Sequence, residues 1–71
     1  MIIPKKPNHL TGISLSEIFQ LDYRIDGRTK YAITSDMFGR YYYLYSVDSK
    51  GKCTKTNHKA QNPTELYKYC V

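Results

Sequence analysis

Three times between residues 26 and 52 the chain sets an aspartate and a glycine at turn spacing, and a polypeptide so interrupted is held to short, locally connected strands. Asp26-Gly27-Arg28 is the signal of a two-residue hairpin. Asp36-Met37-Phe38-Gly39-Arg40 and Asp48-Ser49-Lys50-Gly51-Lys52 share a longer form, a type I turn with aspartate first and glycine in the left-handed region. The segments between, Thr29–Ser35 and Arg40–Val47, are rich in Tyr, Ile, Thr and Val, which suit a pleated surface. Lys52–His58 is more polar and reads as an edge strand, its lysines discouraging edge-to-edge pairing. Leu21, Tyr23 and Ile25 offer a fourth strand through the Asp26-Gly27 turn.

These turns set an expected register. With Asp36 facing Arg40, Ile33 lies opposite Tyr43 and Tyr31 opposite Tyr45. With Asp48 facing Lys52, Val47 lies opposite Cys53. The tyrosine-rich face, with Tyr31, Ile33, Tyr43 and Tyr45, is then the expected core. The opposite face carries Lys30, Ala32, Thr34 and Tyr42, followed by Leu44, Ser46, Thr54, Thr56 and His58, and is open to water or a hydrophilic ligand. Tyr43 and Ile33 are expected to be well buried, Tyr42 and Thr56 more exposed.

The flanks read differently. Residues 1–12 hold Pro4, Pro7 and Gly12 around Lys5 and Lys6, an irregular and solvated basic arm. Ser14 and Glu17 have capping-box spacing, and Leu15, Ile18 and Phe19 fall at i, i+3 and i+4, so a short helix from Leu15 to about Leu21 is expected. Asn62-Pro63-Thr64-Glu65 begins another helix, with asparagine as the cap and proline at the first helical position. Its stripe of Leu66, Tyr69 and Cys70 can lie across the tyrosine face. The fold class expected is therefore α+β: a short N-terminal helix, a three- to four-stranded antiparallel meander and a C-terminal helix on one sheet face. It forms one small domain over residues 1–71, and an SH3-like barrel is the alternative.

Charge narrows the function. The chain of 71 residues carries eleven Lys plus Arg against six Asp plus Glu, a net charge of +5. Through Asp36 there are five cations against four acids; from Met37 onward there are six against two. An anionic partner, nucleic acid above all, is the class this balance favours. The longest apolar run is Met1-Ile2-Ile3, so neither a spanning segment nor a secretory signal is expected, and a cytoplasmic protein without a membrane partner is. Cys53 and Cys70 are expected to remain thiols. Neither His9 nor His58 lies in a nucleophile motif, and no Cys-x-x-Cys or His-x-x-x-His pair offers a metal site. No catalysis, cofactor or metal is expected. Lys50, Lys52, Lys55 and Lys59 form a run without an acid, interleaved with Thr54 and Thr56, whose hydroxyls can hydrogen-bond phosphate or base edges. Tyr42 could stack on a base from the polar face.

Asp26-Gly27-Arg28, Gly39-Arg40-Tyr41-Tyr42-Tyr43 leading into Asp48-Ser49-Lys50-Gly51-Lys52, and the closing Asn62-Pro63-Thr64-Glu65-Leu66 together resemble the N-terminal arm-site DNA-binding domain of tyrosine recombinases, including those of conjugative transposons. The resemblance covers about residues 26 to 70. It implies a mobile-element setting and DNA binding by the sheet face in the major groove, through Arg28, Lys30, Arg40, Tyr42, Lys52, Thr54 and Thr56. The Ser14 helix is outside that pattern, and a free-standing binder rather than an integrase is expected. The function expected is a small basic nucleic-acid-binding protein, DNA ahead of RNA. The alternative is a protein-binding adaptor or inhibitor that uses the Lys52–His58 edge for strand addition or exposed tyrosines as hot spots.

Overall fold

A computed structural model of the chain describes residues 8–70; Lys5 and Lys6 of the expected arm lie outside the described residues. Four strands, β1 (Ile18–Ile25), β2 (Arg28–Ser35), β3 (Tyr42–Val47) and β4 (Cys53–Ala60), make one antiparallel sheet in chain order. A short 3-10 helix, Pro63–Tyr69, follows. The meander and its order are as expected, with β1 and β4 at its open edges rather than closed into a barrel.

Two of the three turns do what their chemistry dictates. Asp26 and Gly27 both take positive φ, 54° and 77°, and Ile25 pairs with Arg28. Asp48 faces Lys52: its N–H donates to the Lys52 carbonyl at 3.0 Å, and Val47 lies opposite Cys53. The Asp36 turn is one residue longer than expected. The Asp36 Oδ1 accepts the Arg40 N–H at 2.7 Å, as the Asp48 Oδ1 accepts that of Lys52, but the Asp36 N–H donates to the Tyr41 carbonyl at 3.1 Å and leaves Arg40 in the loop. Ile33 therefore lies opposite Leu44, Thr34 opposite Tyr43 and Ala32 opposite Tyr45. The expected register of β2 on β3 is wrong by one, which exchanges the side chains that share a face.

The corrected register gives two small cores. On the first face Leu10, Phe19, Ala32, Tyr45 and Cys53 are buried together; on the second Ile33, Leu44, Leu66 and Cys70 are. Ile33 is buried as expected, whereas Tyr42, Tyr43 and Thr56 are all half-buried. The two thiols are not bonded to each other and sit on opposite faces. Each face needs a cover. The second is covered by the 3-10 helix, where Asn62 is the cap and its side chain accepts the Glu65 N–H at 3.3 Å. The expected capping and proline hold, but the helix is 3-10 and lies on the Ile33/Leu44 face rather than on Tyr43 and Tyr45.

The first face is covered by residues 10–13, so that part of the expected solvated arm is instead packed. Leu10 is fully buried. The Thr11 N–H donates to the Gly51 carbonyl at 2.9 Å and the Cys53 N–H to the Thr11 carbonyl at 2.7 Å, a parallel bridge onto the start of β4. The crossing depends on two glycines. A Cβ on Gly51 would stand 2.1 Å from the His9 carbonyl oxygen, and one on Gly12 2.6 Å from that of Cys53, each at a φ above 80°.

The expected Leu15–Leu21 helix does not form. Ser14 begins a single turn, in which its carbonyl accepts the Glu17 N–H at 3.2 Å, and β1 starts at Ile18. An isolated two-turn helix is marginal, whereas Ile18, Phe19, Tyr23 and Ile25 suit a strand that pairs with β2 along its length. Of the expected helical stripe, Phe19 is buried and Leu15 is fully exposed. The Glu17 carboxylate caps nothing. Its Oε1 accepts the hydroxyls of Thr34 and Tyr45, each at 2.7 Å, and its Oε2 meets the Lys55 ammonium at 2.7 Å.

Candidate nucleic-acid interface

The antiparallel order brings the β1–β2 turn and the β3–β4 turn to one end of the sheet, where the N-terminal segment also crosses. Between them opens a cleft of about 510 Å³. Arg24 lines it from β1, Arg28 and Lys30 from β2, and His9 from the crossing segment, together with Ser49 and with Thr29, whose hydroxyl donates to the Asp22 Oδ2 at 3.3 Å. Arg24 is paired with Asp22, Nε to Oδ2 at 3.0 Å. Among the described residues Arg28 and Lys30 have no ion-pair partner within 4 Å, nor do Lys50 and Lys52 in the adjoining turn. Asp48 is the acid lining the cleft. Backbone N–H groups of Lys52 and Lys50 both donate to its Oδ1 at 2.9 Å and hold its carboxyl below the usual value.

The ten residues expected to bind nucleic acid are thus divided. Arg28 and Lys30 share the cleft, and Lys50 and Lys52 extend from the turn beside it. Arg40 and Lys59 are at the opposite end: Lys59 lies over the Tyr41 ring at 5.0 Å, and Arg40 over Phe38 at 5.6 Å. Lys55 is held by Glu17 and by the Tyr43 ring, 4.1 Å from its centroid. Tyr42 packs against the second core, under the closing helix rather than on an open polar face. Thr54 is exposed across from Ser46. Thr56 spends its hydroxyl on the Leu44 carbonyl at 2.8 Å. No single sheet face gathers the set.

Arg24 and His9 were not expected. Arg24 was within reach of the sequence, because the Asp26-Gly27 turn sets it opposite Thr29. Nothing local marks His9, which arrives only through the crossing over Gly51.

Glu17 and Tyr45 form the other ionisable centre. Burial drives the Glu17 carboxyl up, but hydrogen bonds from Lys55, Thr34 and Tyr45 outweigh it and leave it below its ordinary value. Burial, then the bond to Glu17, pushes the Tyr45 phenol up to about 12. Each carboxylate oxygen and the phenol oxygen of this group has a partner, and together they tie the start of β1 to β2, β3 and β4. Among the described residues no cluster of His, Cys, Asp and Glu could hold a metal ion, and no helix is long and apolar enough to cross a membrane. Comparisons with protein-family models, curated proteins and solved structures find no match.

Proposed function

We propose that the chain is a small, non-catalytic nucleic-acid-binding protein that grips the phosphate backbone with the basic end of its sheet. The observation that carries this reading is the cleft where Arg28 and Lys30 converge with no ion-pair partner among the described residues, beside Lys50 and Lys52, so that cations outnumber the one lining acid, Asp48. Arginine and lysine neutralise phosphates, and the Ser49 hydroxyl can donate to a phosphate oxygen. DNA ahead of RNA, and a cytoplasmic setting, rest on the sequence and on its resemblance to recombinase arm-site domains. The sheet-face route implied by that resemblance draws little support from a register that separates Lys30 from Tyr42.

Strand addition by a protein partner along Lys52–His58 is less well supported. Thr11 already occupies the edge at Lys52–Cys53, and an irregularity opposite Leu44 breaks the ladder beyond it. The test is a titration with duplex and single-stranded DNA and RNA at two salt concentrations. On duplex DNA log affinity should fall with log salt by roughly 0.9 per phosphate contact, and Arg28→Ala with Lys30→Ala should remove about two units of slope. Absence of binding to every nucleic acid at low salt would overturn the proposal.

A further inference from the structure

The end of the sheet opposite the basic cleft has a different character. Ile18 pairs with Ser35, so the Ser14–Glu17 turn and the Asp36–Tyr41 turn share that end. Three large apolar side chains project there into water: Leu15 at 102% exposure, Phe38 at 82% and Met37 at 67%. Soluble proteins expose scattered apolar residues freely, but not a set of this size on adjoining turn tips without a use. Behind them stands Tyr41, whose ring is partly covered by Lys59, and Arg40 lies over the Phe38 ring. The acids close by are engaged: Asp36 accepts the Arg40 N–H, and Glu17 is tied to Lys55.

We infer that this end docks on the surface of an anionic lipid bilayer. Met37, Phe38 and Leu15 enter the headgroup and upper acyl region, while Arg40 and Lys59 meet lipid phosphates and carboxylates. The three side chains stand on two separate turns and are bared to water. Side chains so exposed suit a medium that closes around them. Apolar tips, a tyrosine at interfacial depth and flanking cations match the order of layers met on entering a membrane from water. An expectation of no membrane partner that rests on the lack of a spanning segment does not touch this surface contact. The docking end and the cleft are at opposite ends of the sheet, so the two proposals stand or fall separately.

The experiment uses the full chain with Phe38→Trp as the reporter, since the chain has no tryptophan of its own. Its emission is followed with vesicles of phosphatidylcholine plus phosphatidylserine, with phosphatidylcholine alone, with duplex DNA and on dilution in buffer. A blue shift with the anionic vesicles, weak or absent with phosphatidylcholine alone, is expected. In cosedimentation, Met37→Ser with Phe38→Ser should weaken partition roughly 10- to 100-fold, the range for losing two large apolar contacts. Both residues are exposed, so thermal unfolding should be unchanged, as should any affinity for nucleic acid. Arg40→Glu should weaken vesicle binding several-fold. No shift with either vesicle overturns the inference, as does equal binding to neutral and anionic lipid. A shift with duplex DNA only would make the tip a base wedge, and one that depends only on protein concentration would make it a self-association surface; either result also overturns it.

Discussion

Glu17 is the residue on which the first face turns. It sits at the start of β1 with its side chain 7% exposed, and it satisfies Thr34 and Tyr45 while pairing with Lys55. Glu17→Ala would strand two hydroxyls and an ammonium, and should cost about 3 kcal/mol in urea unfolding. Because the folded carboxyl lies below its ordinary 4.5, the stability it contributes is complete above that pH. It is lost as pH falls through the depressed value. Glu17→Gln should flatten that part of the stability profile. Tyr45 acts at the other extreme. Its phenol moves from 10.0 to about 12, so its contribution is whole below pH 10 and drains away as pH rises toward 12. Ultraviolet titration should show one phenol ionising only near pH 12, an effect that shrinks in Glu17→Ala, where burial still acts, and disappears in denaturant.

At the scale of elements, the crossing of residues 10–13 over the last hairpin is the most vulnerable contact. Gly51→Ala brings a Cβ against the His9 carbonyl at positive φ, and should cost about 2 kcal/mol or more. Gly39→Ala is the control: its φ is 69°, but nothing lies within 4 Å of the new carbon. It should cost about 1 kcal/mol, the conformational penalty alone. Denaturant titration of both variants measures the difference. This contrast also explains what could be read from the sequence. The turns at Asp26 and Asp48 were legible because their geometry is set within a few residues by carboxylate and glycine chemistry. The turn at Asp36 carries the same carboxylate and glycine signals, and its Oδ1 holds the Arg40 N–H just as that of Asp48 holds Lys52, yet it closes on Tyr41, a one-residue difference that the turn residues themselves do not encode. The helix expected at Leu15 had the right spacing of apolar residues, but spacing is a weak signal over two turns, and pairing with β2 prevailed. Of the interface, the cations were legible as a class. Which of them converge was not, because that depends on β1 and on a segment joined to β4 from far along the chain.

The two ends of the sheet differ in kind, with an excess of cations at one and bare apolar side chains at the other. That arrangement separates lysines which composition treats alike. Lys50 and Lys52 have no ion-pair partner within 4 Å among the described residues and, on the proposed function, would meet phosphate; Lys55 is paired with Glu17. Lys52→Ala should therefore lower the salt slope of DNA binding by about one unit. Lys55→Ala should leave the slope in place and lower stability instead, since Glu17 then loses its only ammonium partner among the described residues. Salt-dependent affinity and urea unfolding on the same pair of variants distinguish the two roles.

The placement of the two thiols on opposite faces gives the protein a pair of internal clocks. Cys53 is shielded by Leu10 and the segment around it, Cys70 by its place beside Leu66 in the closing helix. A thiol reagent can reach each only when its own cover lifts, so labelling times the two openings separately. Gly51→Ala should quicken the reaction of Cys53 and leave that of Cys70 unchanged. Leu66→Ala should do the reverse. Equal acceleration of both thiols by either change would mean that the covers come away together, in one cooperative unfolding of the sheet.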